Sequence, residues 1–139
     1  MLITNATVVT WEKPNQILLN YAMRINNDKI QDLGPLNYMI TKYPDDSVLD
    51  ADGQFVMPGN ICAHTHFYGA FSRGMNIPGD PPKDFSEILS KLWWPLDKAL
   101  SHEDVYYSSM MCLIDAIKHG TTTLIDHHSS PNCIDGSLD

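Results

Sequence analysis

The first 57 residues alternate between apolar and polar positions over short stretches, and turn residues separate these stretches. Alternation with a period of two is typical of strands that bury one face. Residues 21–25 and 29–33 flank an Asn-Asn-Asp turn and predict a hairpin, and Asp52-Gly53 is a strong turn signal between two further short strands. Residues 1–57 are therefore predicted to form a small β-sheet module that closes at a Pro-Gly turn.

The apolar spacing changes after this turn. Residues 60–63 are mostly apolar and predict a short strand, whereas residues 67–84 contain three Gly and three Pro and predict a long loop. Between residues 85 and 100 the apolar side chains recur at helical spacing. Pro95 is expected to kink or divide this helix, because proline removes a backbone donor and clashes with the preceding turn.

A second helix is predicted over residues 102–118, because Ser101 and the acidic residues after it resemble a capping box and Gly120 provides a stop. The β-branched residues 121–125 then predict a buried strand. Two strands joined by a helical connection are expected to pair in parallel, with a right-handed crossover. Both strands end in polar residues, and this placement is typical of an α/β active-site face.

The composition is that of a packed globular protein, with 43% hydrophobic and 19% charged residues. A formal net charge of −8 without basic clusters makes nucleic acid and anionic membrane surfaces poor partners. No stretch has the length and apolarity of a membrane span or the pattern of a secretory leader. The three cysteines lack a CxxC spacing and predict no disulfide framework, so a protein of the reducing cytoplasm is expected.

The pair His64-Thr65-His66 follows the predicted strand 60–63 directly. In an extended chain these two histidines project to the same side, about 6.5 to 7 Å apart, where two imidazoles can converge on one metal ion. The alternative is a pair of histidines that cap a strand and bond to backbone groups. His127 and His128 end the neighbouring strand, and they are candidates for direct ligands, for substrate contacts or for packing alone.

Several longer motifs carry a resemblance to a known family. VMPGNICAHTHF places the histidine pair after the Pro-Gly turn, and GTTTLIDHH ends the second predicted strand. Together with HFYGAFSRG and LWWPLDKAL, these motifs resemble the amidohydrolase superfamily, in its aminohydrolase and chlorohydrolase branch. Within that branch the chain is most similar to the SsnA-type aminohydrolases, and the resemblance covers essentially its whole length.

The resemblance implies an α/β fold in which a metal-dependent (β/α)8 barrel is preceded by strands of a small β-sandwich domain. Residues 1–57 match the sandwich strands, and residues 58–139 match the first two β/α units of the barrel. The implied activity is hydrolysis of C–N bonds other than peptide bonds, of the deaminase or chlorohydrolase type, in a small and heterocyclic substrate. The implied metal ligands are His64 and His66, for one divalent ion that is zinc, with iron as the alternative. The candidate substrate contacts are Arg73, Trp94, His127 and His128.

A complete barrel takes roughly 250 residues, and far fewer follow the β-module in this chain. The chain is therefore expected to be the N-terminal portion of a larger protein, inactive alone and dependent on the remaining barrel from downstream sequence or a complementary chain. The complete protein is expected to be a homo-oligomer. No catalytic residue is assigned within this chain, because the family's proton-shuttling acids and further ligands have no matching positions. The alternative hypothesis is a catalytically inactive small protein that binds metal weakly or serves as an interaction module.

Overall fold

The computed structural model describes residues 1–137, which divide into two compact units, Met1–Pro58 and a second unit that begins at Gly59. The elements of the first unit are β1 (Leu2–Val9), β2 (Ile17–Asn26), β3 (Lys29–Pro35), α1 (Leu36–Lys42), β4 (Val48–Asp50) and β5 (Phe55–Val56). The strands form one sheet in the order β3-β2-β1-β4, with β5 beside β1. The pairs β1–β2 and β2–β3 are antiparallel, whereas β4 and β5 run parallel to β1.

The predicted hairpin is confirmed as β2 and β3, whose pairing begins at Asn26 and Lys29. The alternation did not predict α1, which follows β3 without a break. Its Met39 is fully buried and packs with Leu2 and Ala22, because an apolar sheet face needs a cover. Within the described residues the first unit is thus one sheet with a helix, and its membership of a β-sandwich stays a prediction.

The second unit contains β6 (Asn60–Thr65), a 3₁₀ helix (Phe67–Ser72), α2 (Phe85–Ile88), a π turn (Leu89–Trp93), α3 (Trp94–Ala99), α4 (His102–Lys118) and β7 (Thr121–Asp126). The strands β6 and β7 form a parallel two-stranded sheet, as predicted. The main apolar cluster of this unit joins the 3₁₀ helix to α3 and α4 through Tyr68, Leu96 and Val105.

The predicted capping box begins α4. The Ser101 hydroxyl accepts a hydrogen bond from the Asp104 N–H, and the Asp104 carboxylate accepts one from the Ser101 N–H at 2.9 Å. This reciprocal pair satisfies two backbone donors that a helix start leaves free. At 17 residues α4 is long for this chain, yet within residues 1–137 no helix combines the length and apolarity that crossing a bilayer requires.

Two sequence expectations for this unit are wrong. Residues 67–84 do not form one uninterrupted loop, because the 3₁₀ helix Phe67–Ser72 occupies the start of that segment. The strand β7 is not fully buried, and Ile125 is 50% exposed. A two-stranded sheet that packs on α4 has little partner surface for its remaining face, so β-branched residues there stay accessible.

Candidate metal centre

The two histidines of the predicted pair meet at the carboxyl end of β6. His64 lies within the strand and His66 follows its last residue, so alternation places both imidazoles on one side, as predicted. Their Nε2 atoms are 3.1 Å apart, and the rings meet edge to face. The side chains therefore converge on one point rather than lying parallel along the strand.

This separation fits two ligands of one metal ion. Imidazole nitrogens bind zinc at about 2.0–2.1 Å, so two of them in tetrahedral or somewhat tighter geometry lie about 3.0–3.4 Å apart. The distance of 3.1 Å between the two Nε2 atoms falls in that range. The pair thus has the spacing of half a tetrahedral donor set.

The proton on His66 is fixed by a backbone partner. Its Nδ1 lies 2.8 Å from the carbonyl oxygen of His127, and a carbonyl oxygen only accepts, so Nδ1 carries the hydrogen. In the neutral ring Nε2 then presents its lone pair towards His64. A ligand histidine whose other nitrogen donates to a carbonyl is the usual arrangement at metal centres, because the bond sets both tautomer and ring orientation.

His127 supports the pair from the neighbouring strand. Its N–H donates to the carbonyl of Thr65 at 2.8 Å, and its ring stacks on the His64 ring with centroids 4.2 Å apart. The imidazole of His127 therefore lies beside the pair and packs flat against one of its members. Among residues 1–137 no group of three or more His, Cys, Asp or Glu side chains is arranged to hold an ion.

A cavity of about 480 Å³ opens next to His66. Its lining residues are Thr65, His66, Gly69, Ala70, Phe71, Arg73, Trp93, Met111, Cys112 and Asp115. The wall is largely apolar and aromatic, with one guanidinium and one carboxylate among the lining groups. Such a composition is typical of small-molecule sites, in which a few polar groups orient a ligand on an apolar surface.

The cavity wall contains Arg73, as the sequence suggests, but it contains Trp93 and not Trp94. The Trp93 ring centroid is 5.9 Å from that of His66, whereas Trp94 is 51% exposed. Trp93 ends the π turn Leu89–Trp93 and Trp94 follows it, so the two side chains project in different directions and only Trp93 reaches the cavity. Gly69 makes room for the ring: a Cβ there would lie 3.1 Å from Trp93 Cη2.

A buried polar cluster adjoins the histidines, and sequence reasoning did not single out its two main members, Tyr68 and Asp97. Asp97 is only 7% exposed and accepts a hydrogen bond from Ser129 at 2.9 Å. Burial, together with the neighbouring Asp97 carboxylate, raises the pKa of Tyr68 to about 12. The sequence contained one indication that Asp97 is buried. It follows the apolar Trp93 by four residues and so lies on the same face of the helix.

Two buried atoms of this cluster have no hydrogen-bond partner in the described structure, Asp97 Oδ1 and His128 Nε2. The other ring nitrogen of His128 lies 3.4 Å from the Asp126 carboxylate. Buried polar atoms are rarely left without a partner, so such atoms mark places where a ligand group or an ordered water fits. His128 therefore presents a buried nitrogen without a partner beside Tyr68, whose ring centroid lies 6.2 Å from its own.

The fold is shared with hydrolases of known structure. Guanine deaminase from C. acetobutylicum, with bound guanine, matches 88% of this chain and 28% of its own with a TM-score of 0.70 and 18% identity. A variant of atrazine chlorohydrolase from Arthrobacter aurescens TC1, complexed with zinc and atraton, matches 99% of this chain and 32% of its own with a TM-score of 0.74 and 21% identity. At these identities the likeness establishes the α/β fold.

The sequence pattern of the amidohydrolase family matches residues 55–138, and the chain belongs to that family. This confirms the resemblance that the motifs carry. A 5-methylthioadenosine/S-adenosylhomocysteine deaminase of Pelotomaculum thermopropionicum is 32% identical over 130 residues, and a 5'-deoxyadenosine deaminase of Methanosarcina acetivorans is 35% identical over 126 residues. These alignments cover 94% and 91% of this chain but only 29% and 27% of the two relatives.

Proposed function

We propose that this chain belongs to a metal-dependent hydrolase of the aminohydrolase type, which acts on C–N bonds other than peptide bonds in a small heterocyclic substrate. The observation that carries the proposal is the pair of Nε2 atoms 3.1 Å apart, one of them oriented by the carbonyl of His127. Two histidines that only capped a strand and bonded to backbone groups would not require their Nε2 atoms to lie this close together. The family membership and the deaminase relatives support the same reaction class.

The architecture proposed for the whole protein is a (β/α)8 barrel preceded by a β-sandwich, with residues 1–57 in the sandwich and residues 58–139 in the first two β/α units. The parallel pairing of β6 and β7 across α4 supports this, because such a pair is the repeating unit of a barrel. The chain spans about a third or less of the relatives it matches, so the remaining barrel is proposed as its partner. A homo-oligomeric state and a cytoplasmic location stay predictions.

His64 and His66 would hold one divalent ion, with zinc as the first choice and iron as the alternative. When bound, such an ion acts as a Lewis acid that lowers the pKa of water and polarises the scissile group. The chain itself supplies orientation: His127 keeps His66 in the Nδ1–H tautomer through a 2.8 Å hydrogen bond. The largely apolar wall beside His66 would limit the access of water to a bound substrate and thereby strengthen electrostatic interactions at the reacting bond.

The proposed substrate is an amino-substituted purine or a related ring. The relatives are deaminases of adenosine derivatives, and the 480 Å³ cavity is large enough for a heterocycle. Trp93 would pack against the ring, and Arg73 would bind a carbonyl or carboxylate oxygen. Trp94 is exposed and does not line this cavity, whereas the Nε2 of His128 is buried.

Protein captured through a tag at Met1, from the cells that make it, is the material to assay, because it retains any downstream sequence or partner. Incubation with 5'-deoxyadenosine, S-adenosylhomocysteine and guanine is expected to release ammonia from at least one, and a chelator is expected to stop the release. The purified 139-residue chain alone should release none. Metal-loaded captured protein that deaminates no heterocycle would instead support the inactive metal-binding module.

Replacing Trp93 by alanine is expected to raise the KM of the captured protein for its substrate about tenfold, because an aromatic contact and its buried area are lost. Trp94→Ala is the matched control and should leave KM almost unchanged, since that ring is 51% exposed and does not line the cavity. Steady-state kinetics of both variants make the comparison, and urea unfolding checks that each remains folded. A raised KM for the Trp94 variant alone would reverse the assignment.

A further inference from the structure

The backbone at the start of the 3₁₀ helix needs a hydrogen-bond acceptor from elsewhere. His66 occupies the capping position of this helix, and its side chain makes no capping bond. It has no freedom to make one, because its two ring nitrogens face His64 and the carbonyl of His127. The first N–H of a helix is left without an intrahelical partner, and an unpaired buried donor is costly.

Asp126 supplies the acceptor from the neighbouring strand. Its Oδ1 accepts a hydrogen bond from the Phe67 N–H at 2.9 Å, across 59 residues of sequence. Its Oδ2 lies 3.4 Å from His128 Nδ1, and both side chains are largely shielded, at 18% and 12% exposure. The carboxylate is thus held from two sides and has a defined orientation.

Three consecutive contacts now join the ends of the two strands. The His127 N–H donates to Thr65, the His66 ring donates to His127, and the Phe67 N–H donates to Asp126. The first contact only continues the strand pairing. The other two bracket His66, one through its ring and one through the peptide group that follows it.

We propose that Asp126 is a positioning residue for His66: by capping Phe67 it fixes the backbone between them and so directs the His66 Nε2 towards His64. This rests on the proposed function only in that the directed nitrogen would serve as a metal ligand. The two carboxylate oxygens of Asp126 face the Phe67 N–H and the His128 ring, so its proposed role is to position and not to bind the ion. Its effect passes through the peptide that joins His66 to Phe67, and the geometry of the histidine pair is its direct consequence.

The test compares two substitutions of similar size in the 139-residue chain. Asp126→Asn retains an oxygen that can accept from Phe67, whereas Asp126→Leu removes every acceptor. Asp84→Ala is the control, because Asp84 also caps a helix start, but from within its own segment, where it accepts from the Glu87 N–H at 2.9 Å. The readouts are nitrogen NMR of the imidazole side chains, at a pH well above the ordinary imidazole pKa, and the affinity for added Zn²⁺.

In the unaltered chain and in Asp84→Ala, His66 is expected to show a single Nδ1–H tautomer. In Asp126→Leu a mixture of both tautomers is expected, with a loss of Zn²⁺ affinity of about 10- to 100-fold, the usual cost of removing a supporting hydrogen bond. Asp126→Asn should retain most of both properties. An unchanged tautomer and affinity in a folded Asp126→Leu variant would overturn the proposal.

A direct measurement keeps the proposal falsifiable if the leucine variant does not fold. Hydrogen exchange of the Phe67 amide in the unaltered chain is expected to be protected to the same degree as the β6 amides that bond to β7. Free exchange at Phe67 alone would overturn the capping role. Failure of the captured protein to bind a divalent ion would overturn the proposed function, whereas the tautomer and exchange data of the chain decide the role of Asp126 independently.

Discussion

Replacing His66 by alanine is expected to reduce ammonia release by the captured protein at least about a thousandfold. A metal ion supplies several kcal/mol of transition-state stabilisation, and about 4 kcal/mol corresponds to that factor. His64→Ala should have an effect of similar size, because both Nε2 atoms meet at one point, 3.1 Å apart. The double variant should be little worse than either single one, since two groups that serve one ion act as a unit.

Two other histidines provide the controls for this experiment. His102 begins α4, and His119 follows its last residue with its ring 2.7 Å from the Asp115 carbonyl. Neither lines the cavity beside His66. Their alanine variants should keep nearly full activity, and full activity in His66→Ala would rule out the pair as the metal ligands.

Substituting Gly59 by alanine is expected to lower the free energy of unfolding by about 1–3 kcal/mol, the usual cost of overpacking. A Cβ at this position would lie 2.1 Å from the Thr122 Cγ2 and 2.8 Å from its Cβ. Rotation of the threonine relieves the first contact but not the second, so β6 and β7 must move apart. Urea unfolding of the chain measures the change.

A double-mutant cycle separates this contact from any general effect of the substitution. In a chain with Thr122→Gly the clashing atoms are absent, and Gly59→Ala should then cost little. The coupling between the two sites should therefore account for most of the loss. Equal costs of Gly59→Ala in both backgrounds would show that the close approach of the two strands is not the cause.

The sequence was sufficient to predict the features that depend on local periodicity. The period of two in β6 places His64 and His66 on one side, and the spacing and caps of α4 set its bounds to within a residue. The parallel pairing of β6 and β7 follows from the helical connection between them. These features need no knowledge of how side chains from distant segments meet.

The features that the sequence did not predict depend on register and on irregular turns. Helical spacing alone does not show which tryptophan approaches the histidines, and only the folded structure places the Trp93 ring centroid 5.9 Å from that of His66. His127 orients His66 through its backbone carbonyl, and the identity of a side chain gives no information about such a backbone contact. The partly buried cap from Asp126 to Phe67 likewise requires the exact alignment of two strand ends.

Nitrogen NMR of the imidazole side chains during Zn²⁺ addition tests the central assignment most directly. When one equivalent of Zn²⁺ is added to the 139-residue chain, the Nε2 resonances of both His64 and His66 are expected to shift. The His66 Nδ1 should keep its proton and its hydrogen bond to the His127 carbonyl. Shifts confined to His102 or His119, or Zn²⁺ bound through the His66 Nδ1, would contradict the assignment of this pair as the metal ligands.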